Sequence, residues 1–237
     1  MARDYSTASN YHSGTVTSNS SYPVSMAVWV YLNAHSGNVV AMSLHTGLIT
    51  SRLELGFAGG GKAKYVVYDA TTGSVTALSA TTRTIGKWHH ICSVSLSSTS
   101  HSVFLDGGGK VTSAANRSFS GVDEVILSQD YAGASLIDAG LAWPTYWTTG
   151  LSDAEVAALA NGAHPSTIQP EHIEGMWACL GGTGDEPNLA HAGGGSTLTE
   201  TGTVTTRHSP AIGHNWMPTP FQPSGGNYGA LALLGVS

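Results

Sequence analysis

Apolar and polar residues alternate with a period of two through most of the chain. From Trp88 to Leu96, the residues Trp88, His90, Cys92, Val94 and Leu96 share one parity, and Ser93 and Ser95 take the other. This is the pattern of a half-buried strand with an apolar face and a polar face. A Ser/Thr-rich turn at Ser97 to Ser100 and a second strand, Ser102 to Leu105, complete a β-hairpin. It ends in Asp106-Gly107-Gly108-Gly109, where glycine admits φ > 0. Upstream, Pro23 opens a strand in which Val24, Met26, Val28, Val30 and Leu32 form one face and Trp29 and Tyr31 the other. Two covered faces are expected of an inner strand in a sandwich. Shorter strands are predicted at Asn38–Leu44, Arg52–Phe57, Lys64–Asp69, Ser74–Leu78 and Val122–Leu127. Turn signals at Gly47, Gly59-Gly60-Gly61 and Thr71-Thr72-Gly73 separate the first four. Spacing of this kind indicates an all-β sandwich or barrel. The polar start, Met1 to Ser21, reads as an edge strand and loop.

The period changes once. In Thr149 to Leu159, Ser152 is placed as an N-cap and Glu155 completes a capping box. Val156, Leu159 and Ala160 form an apolar stripe, and Gly162 ends the helix. Pro165 to Pro170 reads as a linker, Ile173 to Leu180 as a strand, and Leu198 to Gly202 as a last extended piece. Residues 211–237 differ. They carry Pro218, Pro220 and Pro223, spaced anchors Trp216, Phe221 and Tyr228, and an apolar end containing Leu231, Leu233 and Leu234. Such a composition makes a poor core. The chain is therefore divided into a sandwich domain, 1–210, and an extended tail, 211–237, expected to dock on a partner, with folding back on its own sandwich as the alternative.

The chain has 237 residues, enough for one full core. Charged residues are only 10% and the formal charge is −6 with no Lys/Arg cluster, which argues against nucleic-acid binding. No apolar run suits a membrane span. The opening Met1-Ala2-Arg3-Asp4 lacks the basic and apolar regions of a signal peptide, so none is expected. Cys92 and Cys179 do not make a disulfide framework. They read as free buried thiols, with a single bridge as the alternative.

The order of these pieces resembles laminin-G-like and pentraxin-like jelly rolls of the concanavalin A-like superfamily. The resemblance rests on Pro23 to Val30, on Trp88-His89-His90-Ile91, on Val103-Phe104-Leu105-Asp106-Gly107, on Leu136-Ile137-Asp138 before the capped helix, and on the closing strand at Trp177. Ala139-Gly140 departs from the family pattern, where Glu-Val is common. The pentraxin motif is met only at His90-Ile91-Cys92, and no cysteine lies upstream to pair with Cys92. The resemblance spans about Tyr5 to Pro210. It implies an all-β, two-sheet antiparallel jelly-roll sandwich with one short helix, followed here by the extended C-terminal tail.

Glycosidases of this superfamily place carboxylates at alternate strand positions. No acid here has such neighbours, and no G-x-S-x-G elbow occurs, so an enzyme is not expected. Eleven histidines lack zinc spacing, and adjacent His89 and His90 point to opposite faces. His90 reads as a hydrogen-bonded core residue. Calcium is the ligand common in the family, and Asp185, Glu186 and Asn188 form the best local oxygen cluster, short of a strict motif. No cofactor is otherwise implied.

Two functions remain. One is a structural protein of a phage particle, a capsid decoration or tail-associated subunit located in the virion. It would act through contacts with other structural subunits, as a homo-oligomer, with Trp216, Phe221, Tyr228, Leu231, Leu233 and Leu234 as anchors. The other is an extracellular or cell-surface lectin module that binds polysaccharide, with Trp143, Tyr146 and Trp147 as stacking platforms.

Overall fold

Strand alternation closes the chain into two antiparallel sheets. The computed structural model describes residues 2–5, 10–34, 37–47, 50–133, 136–180, 183–190, 195–210 and 212. In chain order the strands are β1 (Ala2–Tyr5), β2 (Tyr11–Asn19), β3 (Val24–Leu32), β4 (Val39–His45), β5 (Ser51–Phe57), β6 (Lys62–Asp69), β7 (Gly73–Thr82) and β8 (Trp88–Ser97). They continue with β9 (Ser100–Leu105), β10 (Gly108–Ser113), β11 (Val122–Leu127) and β12 (Ala139–Trp147). After helix α1 (Asp153–Ala160) come β13 (Ile173–Met176), β14 (Thr199–Thr201) and β15 (Thr205–Arg207). The first sheet runs β10-β9-β8-β3-β12-β1-β15, with β13 also pairing with β12. The second runs β14-β2-β11-β4-β5-β6-β7.

The inner faces meet in one apolar core. Val24, Met26, Val28, Val30 and Leu32 of β3 point into it, while Trp29 and Tyr31 lie half-buried outside. Strand β8 reverses the naive reading. Register pairs Val28 with Ile91, Met26 with Ser93 and Val24 with Ser95. The serine parity therefore faces the inter-sheet interior, and the apolar parity of Trp88, His90, Cys92 and Val94 faces outward. Both choices are compensated. Ser95 Oγ donates to Tyr65 Oη at 3.0 Å and meets His101 Nδ1 at 2.9 Å. On the outside, Cys92 and Val94 join Ala27, Phe104, Trp147 and the helix residues Val156 and Leu159 in a second apolar cluster. Helix α1 is thus a cover for the outer face of the first sheet. Its capping box forms as expected: Ser152 Oγ accepts from the Glu155 amide, and the Glu155 carboxylate accepts from the Ser152 amide at 2.7 Å.

Other expectations shift. The glycine run after Leu105 is a turn only at Asp106 and Gly107, with φ of 53° and 73°, and the chain then pairs back as β10. Two positive φ values suit the twist of a tight hairpin. A Cβ on Gly107 would lie 2.9 Å from Ala160 Cβ, so this turn also needs glycine for the helix to pack. The linker at Pro165 to Pro170 contains one short 3-10 turn, Pro165–Thr167, and a second, Pro170–His172, begins at its end. The closing strand stops at Met176 rather than Leu180. His90 is buried as expected, yet its Nδ1 has no hydrogen-bond partner among the described residues. Its neighbour His89 is the bonded one, to Asp106 Oδ2 at 2.8 Å. Cys92 and Cys179 are both free and buried. No helix among the described residues is long and apolar enough to cross a membrane.

Candidate functional site

The sequence Ala142-Trp143-Pro144 interrupts β12. Pro144 has no N–H to donate, and the register with β3 slips between Ala142 and Thr145. Trp143 sits at the slip with φ 53°, a left-handed conformation unusual for a bulky residue. Its amide donates to the Ala178 carbonyl at 3.2 Å, and Thr145 Oγ1 donates to its own carbonyl at 3.1 Å. The bulge turns the half-buried ring outward. There it meets the His164 ring edge-on, with centroids 4.2 Å apart. The two rings open a cleft of about 460 Å³ that is also lined by Ser166, Ile173, Met176 and Leu189. His164 Nδ1 accepts from the Ser166 amide, so this nitrogen is unprotonated. Burial holds the imidazole below its ordinary pKa. The cleft is an apolar slot with a neutral imidazole and one hydroxyl at its rim. It can hold a ring or an apolar side chain.

Tyr146 and Trp147 do not join Trp143. The sequence groups all three aromatics as stacking platforms, but β12 runs on through Trp147, and successive residues enter opposite cores. Tyr146 is fully buried between the sheets, where its Oη accepts from Asn19 Nδ2 at 2.7 Å. Trp147 is fully buried under the helix and donates from Nε1 to the Ile168 carbonyl at 2.9 Å. Neither ring can stack on a sugar, so these two assignments are withdrawn.

The oxygen cluster proposed for calcium is occupied by the protein itself. Glu186 is buried and receives Arg3 at 2.9 Å and the Cys179 amide at 2.8 Å. Asp185 Oδ1 accepts from the Glu200 amide, and Asn188 Oδ1 from the Met176 and Ala190 amides. Among the described residues, no three His, Cys, Asp or Glu side chains converge as metal ligands. The donor set does not fit a calcium ion, because its oxygens are matched to a guanidinium and to amides.

That guanidinium is the residue sequence reasoning missed. Arg3 also pairs with Glu200 at 2.9 Å and donates to His12 Nε2 at 2.9 Å, while His12 Nδ1 meets Tyr5 Oη at 2.9 Å. Burial pushes Tyr5, Cys179 and Glu186 up and His12 down, with Arg3 opposing the rise at Glu186. The network ties β1 and β2 to the closing segment. Its partners are nearly two hundred positions apart, so no local spacing announces it. On the outer face of the second sheet, the acid Glu54 likewise faces a cation, Arg52, at 2.9 Å. The tail anchors Trp216, Phe221, Tyr228, Leu231, Leu233 and Leu234 lie outside the described residues.

No curated protein matches the sequence. Among solved structures, the sandwich is similar to the heptameric SAP-like pentraxin of Limulus polyphemus. The TM-score is 0.51 at 14% identity, covering 64% of this chain and 75% of that one. It is also similar to domains LG4-5 of the mouse laminin alpha1 chain. There the TM-score is 0.52 at 12% identity, covering 65% of this chain and 43% of the laminin chain. At such identities the likeness is one of fold. The laminin G family model matches residues 3–157, more than half of the sequence. With two antiparallel sheets closed over one core and a family match of that extent, the chain belongs to the concanavalin A-like lectin/glucanases superfamily, in its laminin G family.

Proposed function

We propose that this chain is a non-catalytic structural protein of a phage particle, a capsid decoration or tail-associated subunit that works through protein–protein contacts. The observation that carries the reading is how the polar groups are used. The acids that could have done chemistry or held a metal are consumed internally: Glu186 and Glu200 by Arg3, and Glu54 by Arg52. Among the described residues, the large apolar side chains Leu78, Ile85, Leu96, Leu180 and Leu189 are exposed, and the sequence of the tail adds aromatic and aliphatic anchors. Such groups lose least by leaving water for a neighbouring subunit. Stable contacts of this kind bury above roughly 1,000 Å². The test is sedimentation of the full chain over a concentration series. Concentration-dependent association supports the reading, and a monomer throughout overturns it.

The Trp143 cleft favours a second reading, a polysaccharide-binding module. A half-exposed indole beside a neutral imidazole is the chemistry that stacks on a sugar ring. A glycan array run with and without EDTA would show EDTA-insensitive binding that Trp143→Ala removes. An array blank under both conditions leaves the assembly role alone.

A further inference from the structure

The outer face of the first sheet is covered by helix α1 only over one half. Over the other half, register sets Asp4, Gly140, Tyr31 and Trp88 in one line across β1, β12, β3 and β8. Along β3 and β8 the next outward pair is Trp29 and His90. Trp29, Tyr31 and Trp88 are all half-buried rather than closed over. The small residue on β12 is essential to this platform. A Cβ on Gly140 would fall 2.9 Å from Arg207 Cδ and 3.3 Å from the Trp88 ring. The missing side chain lets Arg207 and Trp88 meet above the strand. Arg207 lies 4.3 Å over the Tyr31 ring and pairs with Asp4 at 2.8 Å.

Three polar atoms on this platform are buried without a hydrogen-bond partner among the described residues: Trp88 Nε1, His90 Nδ1 and Arg207 Nε. Two of them are obligate donors. Buried donors without acceptors are costly and native proteins satisfy nearly all of them. Those atoms are sealed beneath the surface, and what the platform presents outward is its half-buried rings, which fit a neighbour with aromatic or aliphatic side chains. This is also where the sandwich releases its C-terminal segment. His208 packs edge-on against Tyr31 and lies 6.3 Å from Trp88. The residues that follow, 213–237, carry Trp216, Phe221 and Tyr228 and the aliphatic end at Leu231, Leu233 and Leu234. An extended segment of that length reaches on the order of 80 Å. Three strand spacings are only about 15 Å.

We propose that the aromatic platform Trp29–Tyr31–Trp88 is the receptor for residues 213–237 of a second copy of this chain. Each copy then carries both halves of a head-to-tail contact. This is a heterologous interface, which closes into rings or grows into filaments. Aromatic anchors bury about 150–250 Å² each, so three of them with their platform suffice for a stable contact. The proposal rests on the assembly reading above and names its surface.

The experiment separates the two. Three proteins are prepared: the full chain, a truncation lacking 211–237, and a full-length Trp88→Ala, Tyr31→Ala variant whose fold is checked by circular dichroism. By sedimentation, the full chain associates, and each altered protein alone loses at least tenfold in self-affinity. Mixing the truncation, which keeps the platform, with the platform variant, which keeps the segment, yields a one-to-one complex. A synthetic peptide of residues 213–237 binds the truncation and quenches or shifts its tryptophan fluorescence, which decides the matter even if the platform variant does not fold. If truncation abolishes association while the platform variant still associates, the platform is not the receptor and the assembly reading stands. Failure of the peptide to bind the truncation overturns the proposal. A full chain that stays monomeric overturns both.

Discussion

At the scale of single residues, two features have measurable consequences. Arg3 is buried against Glu186 and Glu200, so removing it leaves carboxylates in the interior without a cation. Breaking a buried pair in this way costs about 3–5 kcal/mol. Arg3→Ala is therefore expected to lower the urea midpoint sharply, and adding Glu186→Gln should recover part of the loss. The second feature is histidine. Burial lowers His90 to about 4, and it lowers His12, His101 and His164 in the same direction. Unfolded imidazoles titrate near 6.5. Between those values the unfolded chain binds the proton and the folded chain does not. For His90, stability is therefore full above the unfolded value and falls as the pH drops from 6.5 toward 4, by up to about 1.4 kcal/mol per pH unit, and the other three act in the same direction. Chemical denaturation across that range should show the slope, and His90→Phe should flatten it by one group's share.

At the scale of elements, helix α1 works as a lid on the first sheet rather than as a decoration beside it. Its Val156 and Leu159 close over Cys92, Phe104 and Trp147. Leu159→Ala should cost about 2–5 kcal/mol by opening that cluster, and Ser152→Ala about 1 kcal/mol by removing the cap, both read from denaturant midpoints. The Cys92 thiol reports the lid directly. It is fully buried and its thiol is pushed up by that burial, so a thiol reagent should leave it unmodified in the wild type and label it faster in Leu159→Ala. Much of this was legible beforehand. The alternation in β3 and the Ser152–Glu155 box are local signals, and local signals survive folding. The β12 bulge was not legible as a continuing strand, because a Pro flanked by aromatics reads as a loop until a partner strand is known. Trp143 therefore kept its outward place while Tyr146 and Trp147 moved inside.

For the whole molecule, the core of the described residues lies within the sandwich. The two sheets bury their inner faces against each other, and β15 is the last strand described. A chain ending at residue 210 is expected to unfold in a single cooperative transition, with a midpoint within a few degrees of the full-length protein measured as a monomer. A large loss of midpoint would mean that residues 211–237 belong to the core. By itself the sequence determined which residues alternate, where turns and the helix cap fall, and that the family is one of two-layered sandwiches. These depend on neighbours a few positions apart. Only the tertiary structure decided which parity of β8 faces inward, that the Arg3 guanidinium rather than a metal ion meets the carboxylates of the closing segment, and that Trp29, Tyr31 and Trp88 share one face. Alternation tells that a strand has two unlike sides. Which side is covered depends on sheets, a helix and a closing segment that meet only when distant parts of the chain come together.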